Sequence, residues 1–174
     1  MIWTLKFADG VDRITNMAAR VASALLLAMI ALVAFNVFGR YIIGTAPVWM
    51  QELEWHLMPP IALLGVSVLM KEGGHVRVDM LYDRFSPRMR IIVDLISMLC
   101  GAAVAALLIK YSLGFVNSAL SIFEGSPDPG GLPARWLLKG FLLVGFALLS
   151  LQCLANAARH AEQLMTLNKE DRNA

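Results

Sequence analysis

Residues 17–39 read MAARVASALLLAMIALVAFNVFG, and between Arg20 and Asn36 the only polar side chain is Ser23. A helix rises 1.5 Å per residue, so about 20 residues of this kind cross a ~30 Å hydrocarbon layer. Residues 49–70, 91–116 and 136–158 form three more stretches of the same character. Only helices or closed barrels satisfy every backbone group in lipid, and continuous apolar runs lack the alternation of a barrel strand. The pattern predicts an all-α membrane protein with four transmembrane helices, folded as a single domain over residues 1–174.

Composition agrees: 58% of the 174 residues are hydrophobic and 16% are charged, against ~25% charged in soluble domains. A net charge of +2 is too small to suggest a nucleic-acid partner. The placement of the charges is more telling. Eleven of the fifteen basic residues, Lys6, Arg13, Arg20, Lys71, Arg77, Arg84, Arg88, Arg90, Arg159, Lys169 and Arg172, fall at one end of the spans. Arg40, Lys110, Arg135 and Lys139 fall toward the other, together with Trp49 and Trp136. Basic residues are retained on the cytoplasmic side and tryptophans sit in interfacial belts, so both termini are expected in the cytoplasm. The first apolar run exceeds a signal-peptide core and lacks a small-residue cleavage motif, so it is expected to remain as a helix.

Short interfacial amphipathic helices are expected beside the spans. Asp79 can cap a turn through Met80, Leu81 and Phe85, and Trp3, Phe7, Val11 and Ile14 have the spacing of a second surface-lying helix. Ser86-Pro87 reads as an N-cap and first helical residue, opening a third helix that reaches about Phe123. At ~55 Å that helix must tilt or protrude. Glu124 to Pro133 is dense in turn residues and forms the loop before the fourth span. Cys100 and Cys153, each inside an apolar run, are expected as small buried side chains. Gly101, Ala102, Ala105, Ala106, Gly140, Gly145 and Ala147 mark expected helix contacts, because association in lipid relies on close packing.

The chemistry is concentrated where helix two begins, at Trp49-Met-Gln-Glu52-Leu-Glu54-Trp-His56, followed by Pro59-Pro60. Ionised groups one or two turns below the interface need partners. Glu52 and His56, at i and i+4, share a face, Glu54 points elsewhere, and Arg40 is the expected charge partner of one carboxylate. Structural pairing is preferred over a proton relay, since these groups lie shallow. Asn36 can hydrogen-bond across helices, and the two prolines should kink helix two. A haem needs two axial ligands at matching depth, and only His56 lies inside a span, so no cofactor is expected. No phosphate loop, nucleophile elbow or zinc spacing is present, so the chain is not read as an enzyme.

Three motifs carry a family resemblance: Asn36-Val-Phe-Gly-Arg40-Tyr41, Trp49 with Gln51-Glu52-Leu53, and Gly74-His75-Val76-Arg77-Val78-Asp79. In this order, at these span ends, the chain resembles the small membrane subunit of tripartite ATP-independent periplasmic (TRAP) transporters. Ser126-Pro-Asp-Pro-Gly-Gly-Leu-Pro133 with Arg135, Trp136 and Lys139 is similar to the branch labelled mannitol/chloroaromatic-type. Where the family commonly has two adjacent acidic residues after the tryptophan, this chain has Gln51-Glu52. The resemblance implies a multi-pass protein of the bacterial inner membrane, in contact with lipids and bound to a large multi-span permease. That permease uses a sodium gradient, and a periplasmic binding protein brings it an organic acid. Arg135 and Lys139 then become candidate contacts with the binding protein, and snorkelling at the interface is the plainer alternative. Two other readings stay open: the membrane anchor of a quinone-linked oxidoreductase, and a stand-alone small carrier.

Overall fold

A computed structural model describes the backbone of residues 2–74 and 82–173 and the side chains of 5–74 and 82–169. Four helices make up almost all of it: α1 (Ile2–Phe38), α2 (Val48–Lys71), α3 (Pro87–Ser121) and α4 (Arg135–Asn173). A π-helical turn, Gly39–Ile43, extends α1. Each helix is long and apolar enough to cross a membrane. The expected all-helical four-span architecture is what forms.

The ends follow local chemistry. Ser86 caps α3 by accepting a hydrogen bond from the Met89 amide at 3.3 Å, with Pro87 in the first turn as expected. At the end of α2, Gly73 (φ +68°) turns the chain left-handed. The Gly74 amide then reaches the Leu69 carbonyl at 3.0 Å and the Gly73 amide that of Met70 at 3.4 Å. These two bonds satisfy carbonyls the helix leaves open. Within α2 the helix continues through Pro59 and Pro60, which withhold the amides that would serve the Trp55 and His56 carbonyls.

The N-terminal segment differs from expectation. It is not a separate surface-lying helix but runs without a break into the first span. No proline interrupts it, and Gly10 costs only about 1 kcal/mol. Ala8 and Val11 pack on Ala155 of α4, while Phe7 and Ile14 stay exposed. The turn expected at Asp79, Met80 and Leu81 lies outside the described residues, as do His75 and Arg77. Beyond it, the Tyr82 and Phe85 rings meet edge to face at 6.4 Å.

In the packing, α4 touches each of the other three helices, α1 pairs with α2, and α3 packs chiefly on α4. Small residues set the closest approaches. A Cβ on Gly145 would lie 2.6 Å from Leu63 Cβ, and one on Gly101 would lie 3.2 Å from Cys153 Sγ. Ala102 and Ala105 are buried, whereas Ala106 is exposed and a Cβ on Gly140 would meet nothing. Cys153 is buried as expected, but Cys100 is exposed because only one face of α3 is covered.

Little of the apolar surface is buried within the chain. At most 22% of the most apolar stretch of any helix lies inside, and for α1 the share is 11%. The accessible surface is 11455 Å², about a third above the ~8,400 Å² that size scaling gives a compact soluble chain of this mass. Lipid or another protein must cover the remainder. Gly145→Ala should drive α2 and α4 apart, costing about 1–3 kcal/mol as overpacking does. A thermal melt in detergent checks this, with Gly140→Ala as a control expected to melt no lower than wild type; an unchanged midpoint for Gly145→Ala would contradict the close approach.

Candidate functional site

Both chain termini lie at one end of the bundle, and the 44–47 and 122–134 connections lie at the other, the loop end. There α3 finishes with the Glu124 amide on the Ala119 carbonyl at 3.0 Å and the Phe123 amide on the Leu120 carbonyl at 3.1 Å. This is the glycine-type cap already seen in α2, except that Phe123 (φ +45°) occupies the left-handed position. Its ring meets Trp136 edge to face at 6.5 Å, a contact that helps offset the backbone cost. The turn directs Glu124 to α4, where it pairs with Lys139; the same ammonium sits 4.1 Å from the centre of the Phe115 ring.

The loop then folds over the start of α2. Its ends are tied by the Ser126 amide on the Leu132 carbonyl at 3.1 Å, and Gly130 (φ +80°) makes the turn. Glu52, only 8% exposed, lies beneath it. The Ser126 hydroxyl donates to its carboxylate, the Leu132 amide donates at 2.5 Å, and Arg135 Nη2 stands 3.5 Å away. Such a set of donors meets the needs of a carboxylate withdrawn from water. Gly131 makes the approach possible, since a Cβ there would fall 2.7 Å from Glu52 Oε2.

The other expected residues divide around this brace. His56 shares a face with Glu52, but its Nδ1 lies 2.7 Å from the Glu52 main-chain carbonyl and not on the carboxylate. A carbonyl only accepts, so Nδ1 carries the proton, and Nε2 is buried with no partner among the described residues. Glu54 turns away as expected and accepts from Asn36 Nδ2 at 2.9 Å, the cross-helix bond foreseen for Asn36. Arg40 pairs with neither carboxylate: it stands exposed on the π-helical turn, while Glu52 takes its cation from α4. Trp49 is exposed in the first turn of α2. Arg135 and Lys139 are both engaged in ion pairs within the chain. An open cleft of about 740 Å³ runs between the two pairs, bordered by Trp55, His56 and Pro59. The arrangement can hold charge and position helices. Among the described residues no three His, Cys, Asp or Glu side chains gather as a metal would require.

A second polar cluster, at the end carrying the termini, is absent from the sequence reading. Gln152 and Thr15 are fully buried and joined at 2.7 Å. The Gln152 amide also donates to Asp12 at 3.1 Å and to Asn156 at 3.2 Å. Asn156 in turn donates to the Met70 carbonyl at 2.9 Å, and Arg159 closes on Asp12 at 2.7 Å. The group ties α1, α2 and α4 together. The signal was present: Gln152, Asn156 and Arg159 recur at helical spacing on one face of the fourth span, and Asp12 and Thr15 do so before the first. It was hidden by the assignment of residues 3–14 to a separate surface helix.

Two outcomes follow. Gly131→Ala should displace the loop from Glu52 and speed proteolytic cutting within 125–133, while Gly125→Ala, whose Cβ would meet only Pro133 at 3.8 Å, should cut at the wild-type rate. Equal cutting of both would exclude the tight cap. Gln152→Leu should cost about 1–3 kcal/mol by leaving buried polar groups unsatisfied, read as a lowered melting midpoint; no loss would mean that the terminal cluster does not bind the helices.

Comparison with known proteins bears on the family. Residues 29–163 match the family described as "Tripartite ATP-independent periplasmic transporters, DctQ component". The chain is also 28% identical over 140 residues to the isethionate TRAP transporter permease protein DctMQ of Oleidesulfovibrio alaskensis (strain ATCC BAA-1058 / DSM 17464 / G20). That alignment covers 76% of this chain and 22% of the relative, so the chain spans about a fifth of the relative's length. With four helices long and apolar enough to cross a membrane and a family match over most of its length, the chain belongs to the DctQ family as a small permease component of TRAP transporters, a multi-pass protein of the inner membrane.

Proposed function

We propose that the chain is a static brace for a large permease, in a transporter that takes up organic acids delivered by a periplasmic binding protein and driven by a sodium gradient. The observation that carries this is the contrast between the helices and their burial. Four spans leave most of their apolar stretches uncovered, while the polar groups at both ends are engaged in holding the helices to one another. A unit of that kind supplies rigidity and surface. The relative is named as a whole permease, and this chain corresponds to 22% of it, which leaves room in that protein for a much larger partner domain. Isethionate, in the relative's name, is a small organic anion, and this supports the substrate class.

The excess of Lys and Arg at the end carrying the termini supports a cytoplasmic placement for both. The loop end, with Trp49, Trp136 and the 122–134 loop, then faces the periplasm and the binding protein. With Arg135 and Lys139 internally paired, exposed loop residues such as Asp128 are better placed for that contact. The test is reconstitution. Vesicles holding this chain with the large permease, supplied with binding protein and an inward sodium gradient, should accumulate organic acid, whereas vesicles lacking either subunit should not. Full-rate uptake by the permease alone, or flux through this chain alone, would refute the brace.

A further inference from the structure

Lys110 is a charge set inside the apolar length of α3. It is exposed on α3 and has no ion pair or hydrogen bond among the described residues. Its depth follows from the register of α3 on α4. Met98 Sδ lies 3.9 Å from Asn156 Nδ2, the Ala102 carbonyl lies 3.4 Å from Ser150 Oγ, and Val116 and Leu120 share a hollow with Gly140 and Phe141. Interpolation sets Lys110 opposite Gly145. Gly145 is ~14 Å along the helix from Trp136 and ~21 Å from Arg159, at 1.5 Å per residue. If these two residues mark the interfaces, as tryptophan and arginine at span ends do, Lys110 is near the middle of the bilayer and not at its edge, where the sequence placed it. Its side chain reaches about 6 Å, which leaves the ammonium well short of the headgroups.

Around it on the outward face, Leu107 and Leu113 are exposed three residues to either side, and the small Ala106 and Gly114 are exposed four residues to either side. Ala103, Ala106, Lys110, Gly114, Asn117 and Ser121 follow one another at steps of three and four, all exposed, so they form one stripe. A Cβ on Gly114 would meet nothing within 4 Å, so the stripe is open to a neighbour. A different face, with Ala102, Ala105, Val116 and Ala119, is the one buried on α4. The exposed face of α1 carries Leu27 and Ile30 with Ala24, Ala28 and Ala31 among them, and no charged residue between Arg20 and Arg40, so the charge is what sets α3 apart. In hydrocarbon, small residues let backbones approach and a charged residue requires a counter-charge.

We infer that the outward face of α3 is the seat of a transmembrane helix of the large permease, and that this helix presents an aspartate or glutamate to Lys110 at mid-membrane. The inference rests on the proposed pairing with a permease and adds which face makes it and through which charge.

The experiment uses the full chain, tagged, co-expressed with the large permease of its own transport system. A photo-crosslinking phenylalanine analogue in place of Gly114 should cross-link to the permease, and the same analogue in place of Leu27 should react far less. Lys110→Glu should lower the permease recovered with the tagged chain about tenfold or more, by placing like charges together in lipid. Reversing one acidic residue of a permease span to lysine should restore recovery. Lys110→Leu, which inserts at least as well as wild type, separates pairing from folding and should also reduce recovery. If wild-type chain and permease purify together but position 114 labels only lipid, or Lys110→Glu is recovered at the wild-type level, the α3 seat is wrong while the permease pairing stands. If wild-type chain and permease never purify together, both fall.

Discussion

A carboxylate drawn in at the edge of the hydrocarbon is costly unless donors surround it, and Glu52 finds three, all from the far half of the sequence. Ser126 and Leu132 belong to the long loop, and Arg135 opens α4. This one side chain therefore fixes the start of α2, the path of the loop and the entry of α4 relative to one another. Burying such a group makes breaking the set expensive even where forming it yields little net stability. What the pairing supplies is register, which apolar helices sliding against one another in lipid would otherwise lack.

The opposite end solves the same problem with neutral side chains gathered around one ion pair. Gln152 cannot reach water, so its amide joins Thr15, Asp12 and Asn156, and Arg159 completes the set. Two polar clamps, one at each end, with glycine and alanine contacts between them, give a bundle that is specified at its ends and thinly covered along its length. Such a shape suits a component whose outer surfaces belong to something else.

The spans were legible because twenty apolar residues in a row have few meanings, and the Ser86-Pro87 helix start and the 124–133 turn followed from equally local chemistry. The importance of Glu52 was legible too, since a carboxylate inside an apolar run demands a partner. Its partner was not. Arg40 is near in sequence and Arg135 is distant, and only the folding of the loop over α2 decides between them. For the same reason Cys100 looked buried: α3 is apolar on all sides around it, and periodicity cannot say which side is covered when lipid and protein favour the same residues. Asp12 falls within the segment expected as a surface helix and Thr15 just past it, and neither could be tied to α4 because their partners lie some 140 positions away.

The proposed brace must stay still while the permease works, and that can be observed directly. Spin labels at two exposed positions on different helices, Ile42 on the π-helical turn and Leu137 on α4, can be placed in the assembled transporter. Their separation is then measured by electron-electron double resonance without and with substrate and an inward sodium gradient. One unchanged distance distribution is the expected result; a second population appearing with substrate would mean that the helices of this chain move with the transport cycle, and would contradict a static brace.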